Sequence, residues 1–276
     1  MKKTTIKTDE ILERLRQYLE VLALPHTLEK LDEHLAWAQR ESPAPSTLLE
    51  HILREEAAKR RLGRFDRRFA KSGLKEKKTI EVFDFSFQPK LDKSQVLELA
   101  RLEFVQHSED VFFTGKTGAG KSHILKALAL RACEHMSVRY ARCVDLINDL
   151  YAGLADGSYL RRMKAWCSPP FIVIDDVGLG QLKKRNDEPT AAHMLFDLLD
   201  RRHGKGSTAM SSNIGLAEWG RYLGDATLAS AILDRVAMNA IHIDFDGPSY
   251  RQHVAKQRLD SRKARRANPN GELQRP

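Results

Sequence analysis

Eight consecutive residues, Gly115-Lys116-Thr117-Gly118-Ala119-Gly120-Lys121-Ser122, fit the spacing G-x-x-x-x-G-K-[ST] in full. The chemistry of that spacing is phosphate binding. Gly115, Gly118 and Gly120 free the backbone to fold around an anion with its N–H groups inward. A helix starting here aims its positive N-terminal end at the same phosphates. Lys121 supplies an ammonium for the β- and γ-phosphates, and Ser122 a hydroxyl for magnesium. A chance glycine-rich turn is the bland alternative. The apolar run Val111–Phe113 before the loop and the amphipathic stretch after it argue against chance. The residues thus predict an ATP site with Mg2+ as its metal.

Downstream, Phe171-Ile-Val-Ile174 runs into Asp175 and Asp176. A buried strand ending in acid delivers carboxylates to a site. Asp175 suits the magnesium role, and Asp176 suits the polarisation of an attacking water. Thr208–Asn213 reads as another strand, ending in an amide able to orient that water, although Asn is also a common turn residue. In Ile232-Leu-Asp234-Arg235-Val236, Arg235 is either half of a surface ion pair or an arginine finger for a neighbouring subunit's γ-phosphate. His123 reads as a helix-face residue, and Trp37, Trp166 and Trp219 as packing anchors. The histidines show no H-E-x-x-H or similar metal spacing. Three widely spaced cysteines, Cys133, Cys143 and Cys167, fit neither a disulfide framework nor a zinc site.

These residues need elements to position them. From Val111 onward, short apolar runs (Val111–Phe113, Val138–Tyr140, Phe171–Ile174, Thr208–Met210, Ile241–Ile243) alternate with helical patterns such as Ile124–Cys133 and Ala191–Arg202. That alternation predicts an α/β domain with a mostly parallel five-stranded sheet. The first 75 residues read as a small all-helical unit. Its first helix is stopped by Pro25, Thr27 caps a second, and Ser46 caps a long third that ends at Gly73. The expected organisation is a basic helical N-terminal domain over 1–75 and a connector over 76–92 carrying Phe83-Asp-Phe85. An ATPase domain over 93–252, with a helix over Leu91–Gln106, and a mobile basic tail over 253–276 follow.

The chain has 276 residues and a formal net charge of +9, with a pI near 9.5 and a mean hydropathy of −0.47. No apolar run approaches the roughly 18–20 residues of a membrane span, and no apolar segment follows the basic N-terminus. The expectation is a cytoplasmic protein with no membrane partner. The charge is clustered. Arg54, Lys59, Arg60, Arg61, Arg64, Arg67 and Arg68 fall in one helical stretch, and a second cluster runs from Arg251 to Arg266. Such clusters attract polyanions, and this first one is the candidate DNA contact, to backbone rather than bases. A solvated helix face is the competing reading.

Taken in order, these signals resemble an AAA+ ATPase of the DnaC/IstB branch, and most closely the IstB-type transposition helper proteins of bacterial insertion sequences. The residues that carry the resemblance are Gly115–His123, Ile174–Gly178, Ser212-Asn213, Glu218-Trp-Gly220, Gly224-Asp225, Ala231–Arg235 and Gly247–Arg251, with Glu55–Arg61 and Phe83–Phe85 upstream. It covers about Leu15 to Arg251. It implies a DNA-stimulated ATPase that assembles as a homo-oligomer on DNA and stimulates a partner transposase. It also implies Asn213 as a sensor residue, Arg235 as the arginine finger and Arg251 as a second nucleotide-sensing arginine. The charged stretch Lys183–Pro189 departs from the family pattern. The alternatives are a DnaC-like helicase loader and a nucleotide-switched DNA scaffold.

Overall fold

A computed structural model of the chain describes residues 2–180, 182 and 189–267. The charged stretch after the second acid therefore lies, apart from Pro189, outside the described residues. Two compact units emerge, Met1–Arg67 and Arg68–Pro276. The division falls inside a helix, a few residues before the helix end at which the sequence suggests a boundary.

The first unit is helical: α1 (Lys2–Val21), α2 (Pro25–Glu29), α3 (Leu31–Glu41) and most of α4 (Pro45–Ser72). Three starts and stops differ from the sequence reading. Pro25 opens α2 instead of merely ending α1, because a first-turn residue needs no N–H partner. Thr27 caps nothing. It is buried inside α2, and its N–H and hydroxyl donate to Glu56 Oε2 at 2.8 and 3.0 Å. Pro45 opens α4, so Ser46 lies within the first turn. Gly73 does stop α4, with φ at +85°.

The second unit contains α5 (Lys93–Leu99), α6 (Glu103–Gln106), β1 (Asp110–Gly115), α7 (Lys121–Ala132), β2 (Val138–Arg142), α8 (Cys143–Ala155), α9 (Tyr159–Cys167) and β3 (Phe171–Val177). It continues with α10 (Ala191–Arg202), β4 (Ser207–Ser212), α11 (Trp219–Leu223), α12 (Ala226–Asn239), β5 (Ala240–Phe245) and α13 (Tyr250–Ala267). The stretch 91–106 is two short helices, not one, because Leu102 turns left-handed at φ +63° to bury itself and its neighbours Phe104 and Val105. The chain is helical to Ala267, where the sequence suggests a mobile tail. Tyr250 starts that helix anchored, its N–H donating to Gly118 O at 3.0 Å.

Every strand pairing is parallel, in the order β2-β3-β4-β1-β5. Each strand is followed by helix, which leaves parallel pairing as the short route back to the sheet. The apolar run Phe171–Ile174 is fully buried, as expected of a strand covered on both faces. The order places β4 between β1 and β3, so their carboxyl ends lie side by side. Ligands of such sheets bind outside those ends. No described helix is long and apolar enough to cross a membrane.

Candidate nucleotide site

The loop after β1 has the backbone its glycines allow: φ is +125° at Gly115, +85° at Gly118 and +109° at Gly120. Close approach adds a second constraint. A Cβ on Gly118 would lie 2.2 Å from Ser249 Oγ, and one on Gly120 would lie 2.6 Å from Phe83 Cε2. The loop is thus gripped by Ser249, just ahead of α13, on one side and the connector on the other. Lys121 opens α7, and its ammonium donates to Gly115 O at 2.6 Å and Lys116 O at 2.9 Å. Burial pulls its pKa below the ordinary lysine value, against the opposing pull of Asp176 and Asp175.

Asp175 is buried at the end of β3 and is the hub of the site. Oδ1 accepts from Ser122 Oγ at 3.0 Å, Ser211 Oγ at 2.5 Å and the Asp176 N–H at 3.0 Å. Oδ2 accepts from the Tyr140 hydroxyl at 2.7 Å. Burial, and then the Asp175 charge, raise the Tyr140 pKa, so the phenol stays protonated and donates. A serine hydroxyl beside a carboxylate is an oxygen donor pair of the kind magnesium takes, and the glycine cradle excludes any side chain from the phosphate position. The residues present therefore fit Mg2+ with a triphosphate.

Asp176 stands in a register irregularity between β3 and β4, at a φ of +60°. A non-glycine residue in the left-handed region is strained by of order 1–3 kcal/mol, and such strain gathers at functional positions. Here the kink separates the two carboxylates. Asp175 turns inward to its hydroxyls, and Asp176 turns to Asn213, whose Nδ2 donates to Oδ1 at 2.8 Å. Asn213 directly follows β4, and its N–H donates to Val177 O at 3.0 Å. Trp219 steadies that strand end: its fully buried indole donates to Ser212 Oγ at 3.1 Å.

Thr117–Ser122, Asp176, Asn213 and Arg251 line one cavity of about 470 Å³. Sequence reasoning overlooked much of the remaining wall. Phe83 and Phe87 of the connector and Tyr250 make it aromatic. The signal available was three phenylalanines in an otherwise polar linker. His123 belongs here too, its Nε2 donating to Thr79 O at 2.8 Å and its ring set against Phe83. Tyr140 and Ser211 left no sequence signal, because a lone hydroxyl on a strand has no spacing to recognise.

Arg235 lies elsewhere on the unit. It pairs with Asp200 Oδ1 at 2.6 Å and covers the Phe196 ring. The basic residues of α4 are not equivalent either. Arg60 is bonded to Glu56 at 2.8 Å and to the Ala23 carbonyl, and Arg54 reaches Glu50 at 3.3 Å. Arg68 donates to the carbonyls of Cys133 and Glu134 at 3.3 and 2.8 Å. Lys59, Arg61, Arg64 and Arg67 are exposed.

The IstB-like ATP binding protein model matches residues 17–258. An ATP-binding protein of insertion sequence IS5376 from Geobacillus stearothermophilus is 29% identical, over 91% of this chain and 98% of that one. An insertion-sequence ATP-binding protein of Mycobacterium tuberculosis is 30% identical, over 86% of this chain and 93% of its own. In fold, the chain is similar to AMPPCP-bound DnaA from Aquifex aeolicus, with a TM-score of 0.53 and 19% identity, over 69% of this chain and 57% of that one. The chain belongs to the IstB-like ATP-binding protein family and is an ATPase with the AAA+ fold.

Proposed function

We propose that this protein is an ATP-dependent DNA-binding helper of DNA transposition in the cytoplasm, which hydrolyses ATP as a DNA-assembled homo-oligomer and stimulates a partner transposase. The insertion-sequence names of its relatives support the setting. The observation that carries the hydrolytic part is the Asp176–Asn213 pair, bonded at 2.8 Å on the wall of the cavity that the phosphate loop enters. A carboxylate and an amide so placed hold and polarise a water, which a phosphoryl acceptor site would not need.

The roles divide by chemistry. Gly115–Ser122 and the start of α7 hold the phosphates through backbone N–H groups, with Lys121 adding its charge. Ser122 and Asp175 hold Mg2+, which when bound neutralises charge on the phosphate oxygens. Asp176 takes the proton of the attacking water, Asn213 orients it, and Arg251 binds nucleotide from the start of α13. Arg235, away from its own subunit's cavity, completes a neighbour's site. Exposed Lys59, Arg61, Arg64 and Arg67 contact DNA backbone.

Steady-state ATP hydrolysis, with and without long duplex DNA and across protein concentrations, tests the reading. The rate should rise steeply with both and vanish in Lys121→Ala. A rate indifferent to DNA and to concentration would refute the DNA-assembled helper and favour a loader that awaits a protein partner. Reversing Arg61, Arg64 and Arg67 to Glu should weaken DNA binding at low salt. Arg60 is unsuitable for that test because it holds Glu56.

A further inference from the structure

In the helical unit, α3 brings His34 beside His51 and Glu55, which share a face of α4 at i, i+4 spacing. His34 is 3% exposed, and its Nε2 has no hydrogen-bond partner among the described residues. A buried imidazole nitrogen without a partner is costly and calls for an explanation. Its surroundings point to one. His34 Nε2 is 3.9 Å from Glu55 Oε2, and His51 Nε2 is 3.5 Å from Glu55 Oε1. One donor atom from each of the three residues lies within 4.8 Å of the other two.

These gaps are long for hydrogen bonds. They are close to what a shared ion needs. With ligands at ~2.0–2.1 Å around a tetrahedral zinc, neighbouring donor atoms sit roughly 3.3–3.4 Å apart. Two imidazoles and a carboxylate are a donor set for zinc or a similar first-row divalent ion, rather than for magnesium. We infer that His34, His51 and Glu55 form a zinc site that ties α3 to α4, with a fourth position open to water.

The surroundings suit such a site. Trp37 stacks on the His51 ring at 4.4 Å and fixes its plane. The three residues line a cavity of about 350 Å³ together with Lys30, Glu33 and Arg40, which gives an ion a way in. One contact must change. Arg54 approaches His51 Nδ1 at 3.4 Å, and metal on Nε2 would put a proton there. Arg54 is exposed and already reaches Glu50, so it can turn away. The sequence hides the site because its ligands come from two helices and lack any recognised spacing.

The test uses the full-length protein stripped with chelator. Zinc is titrated in competition with a chromophoric chelator, and bound zinc is examined by X-ray absorption. One equivalent should bind and raise the melting temperature. The absorption spectrum should show nitrogen and oxygen ligands near 2.0–2.1 Å and no sulfur. His51→Gln and Glu55→Gln should each weaken binding roughly tenfold or more. Asp175→Asn, at the other metal position, should leave it unchanged. No uptake, a sulfur shell, or loss of binding in Asp175→Asn alone would overturn the inference. The spectrum of the native protein decides even if a variant fails to fold.

Discussion

At the scale of single residues, adjacency in sequence conceals opposite surroundings. Asp175 is enclosed by three hydroxyls and a backbone N–H, whereas Asp176 faces the cavity wall with Asn213. The left-handed φ at Asp176 accomplishes the split, since an extended strand alone would alternate the two side chains across the sheet without aiming either. Tyr140 acts through Asp175 as a positioning residue. A hydrogen bond to a charged group contributes about 1.5–3 kcal/mol. Tyr140→Phe should therefore raise the Mg2+ concentration for half-maximal ATPase activity by roughly tenfold. An unchanged Mg2+ titration would assign Tyr140 to packing alone.

At the scale of elements, connections decide which groups meet. Because β4 lies between β1 and β3, Asn213 emerges between the phosphate loop and the two acids. In the helical unit the corresponding link is Glu56, which joins α4 to α2 through Thr27. Burial would raise the Glu56 pKa, but the bonds from Thr27 and Arg60 outweigh it and hold the carboxyl below its ordinary range. The sign follows from linkage. A depressed carboxyl stabilises above its unfolded pKa, and that contribution fades as pH falls through the folded value. Glu56→Gln should cost about 1.5–3 kcal/mol at pH 7, and less in acid, where the wild type loses the same interactions. Chemical denaturation of both proteins at neutral and acid pH checks this. A difference that stays constant with pH would show that the charge is not what matters.

At the scale of the whole molecule, the described site holds what one chain can supply, and Arg235 stands apart from it, paired with Asp200. That ion pair is exposed and contributes at most ~1 kcal/mol to stability. Arg235→Ala should therefore fold normally and bind nucleotide. A finger acting between subunits would nonetheless make the loss of hydrolysis roughly 10³-fold or more. Mixing it with Lys121→Ala should restore part of the rate, since each variant supplies what the other lacks. No recovery on mixing would place Arg235 outside a neighbour's site.

The local chemistry was legible in the chain itself. The phosphate loop, the two acids and the five apolar runs depend on residues close in sequence, so backbone preference, strand burial and glycine freedom expose them directly. Some helix starts were misread, because Pro25 and Pro45 open helices and Thr27 serves a distant carboxylate. The tertiary structure alone decided what converges. Tyr140 and Ser211 reach Asp175, the connector's Phe83 closes on Gly120, and His34 meets His51 and Glu55. Those meetings depend on strand order and helix packing, which no spacing along the chain encodes, because contacts between distant segments are set by the burial of whole faces rather than by any one residue.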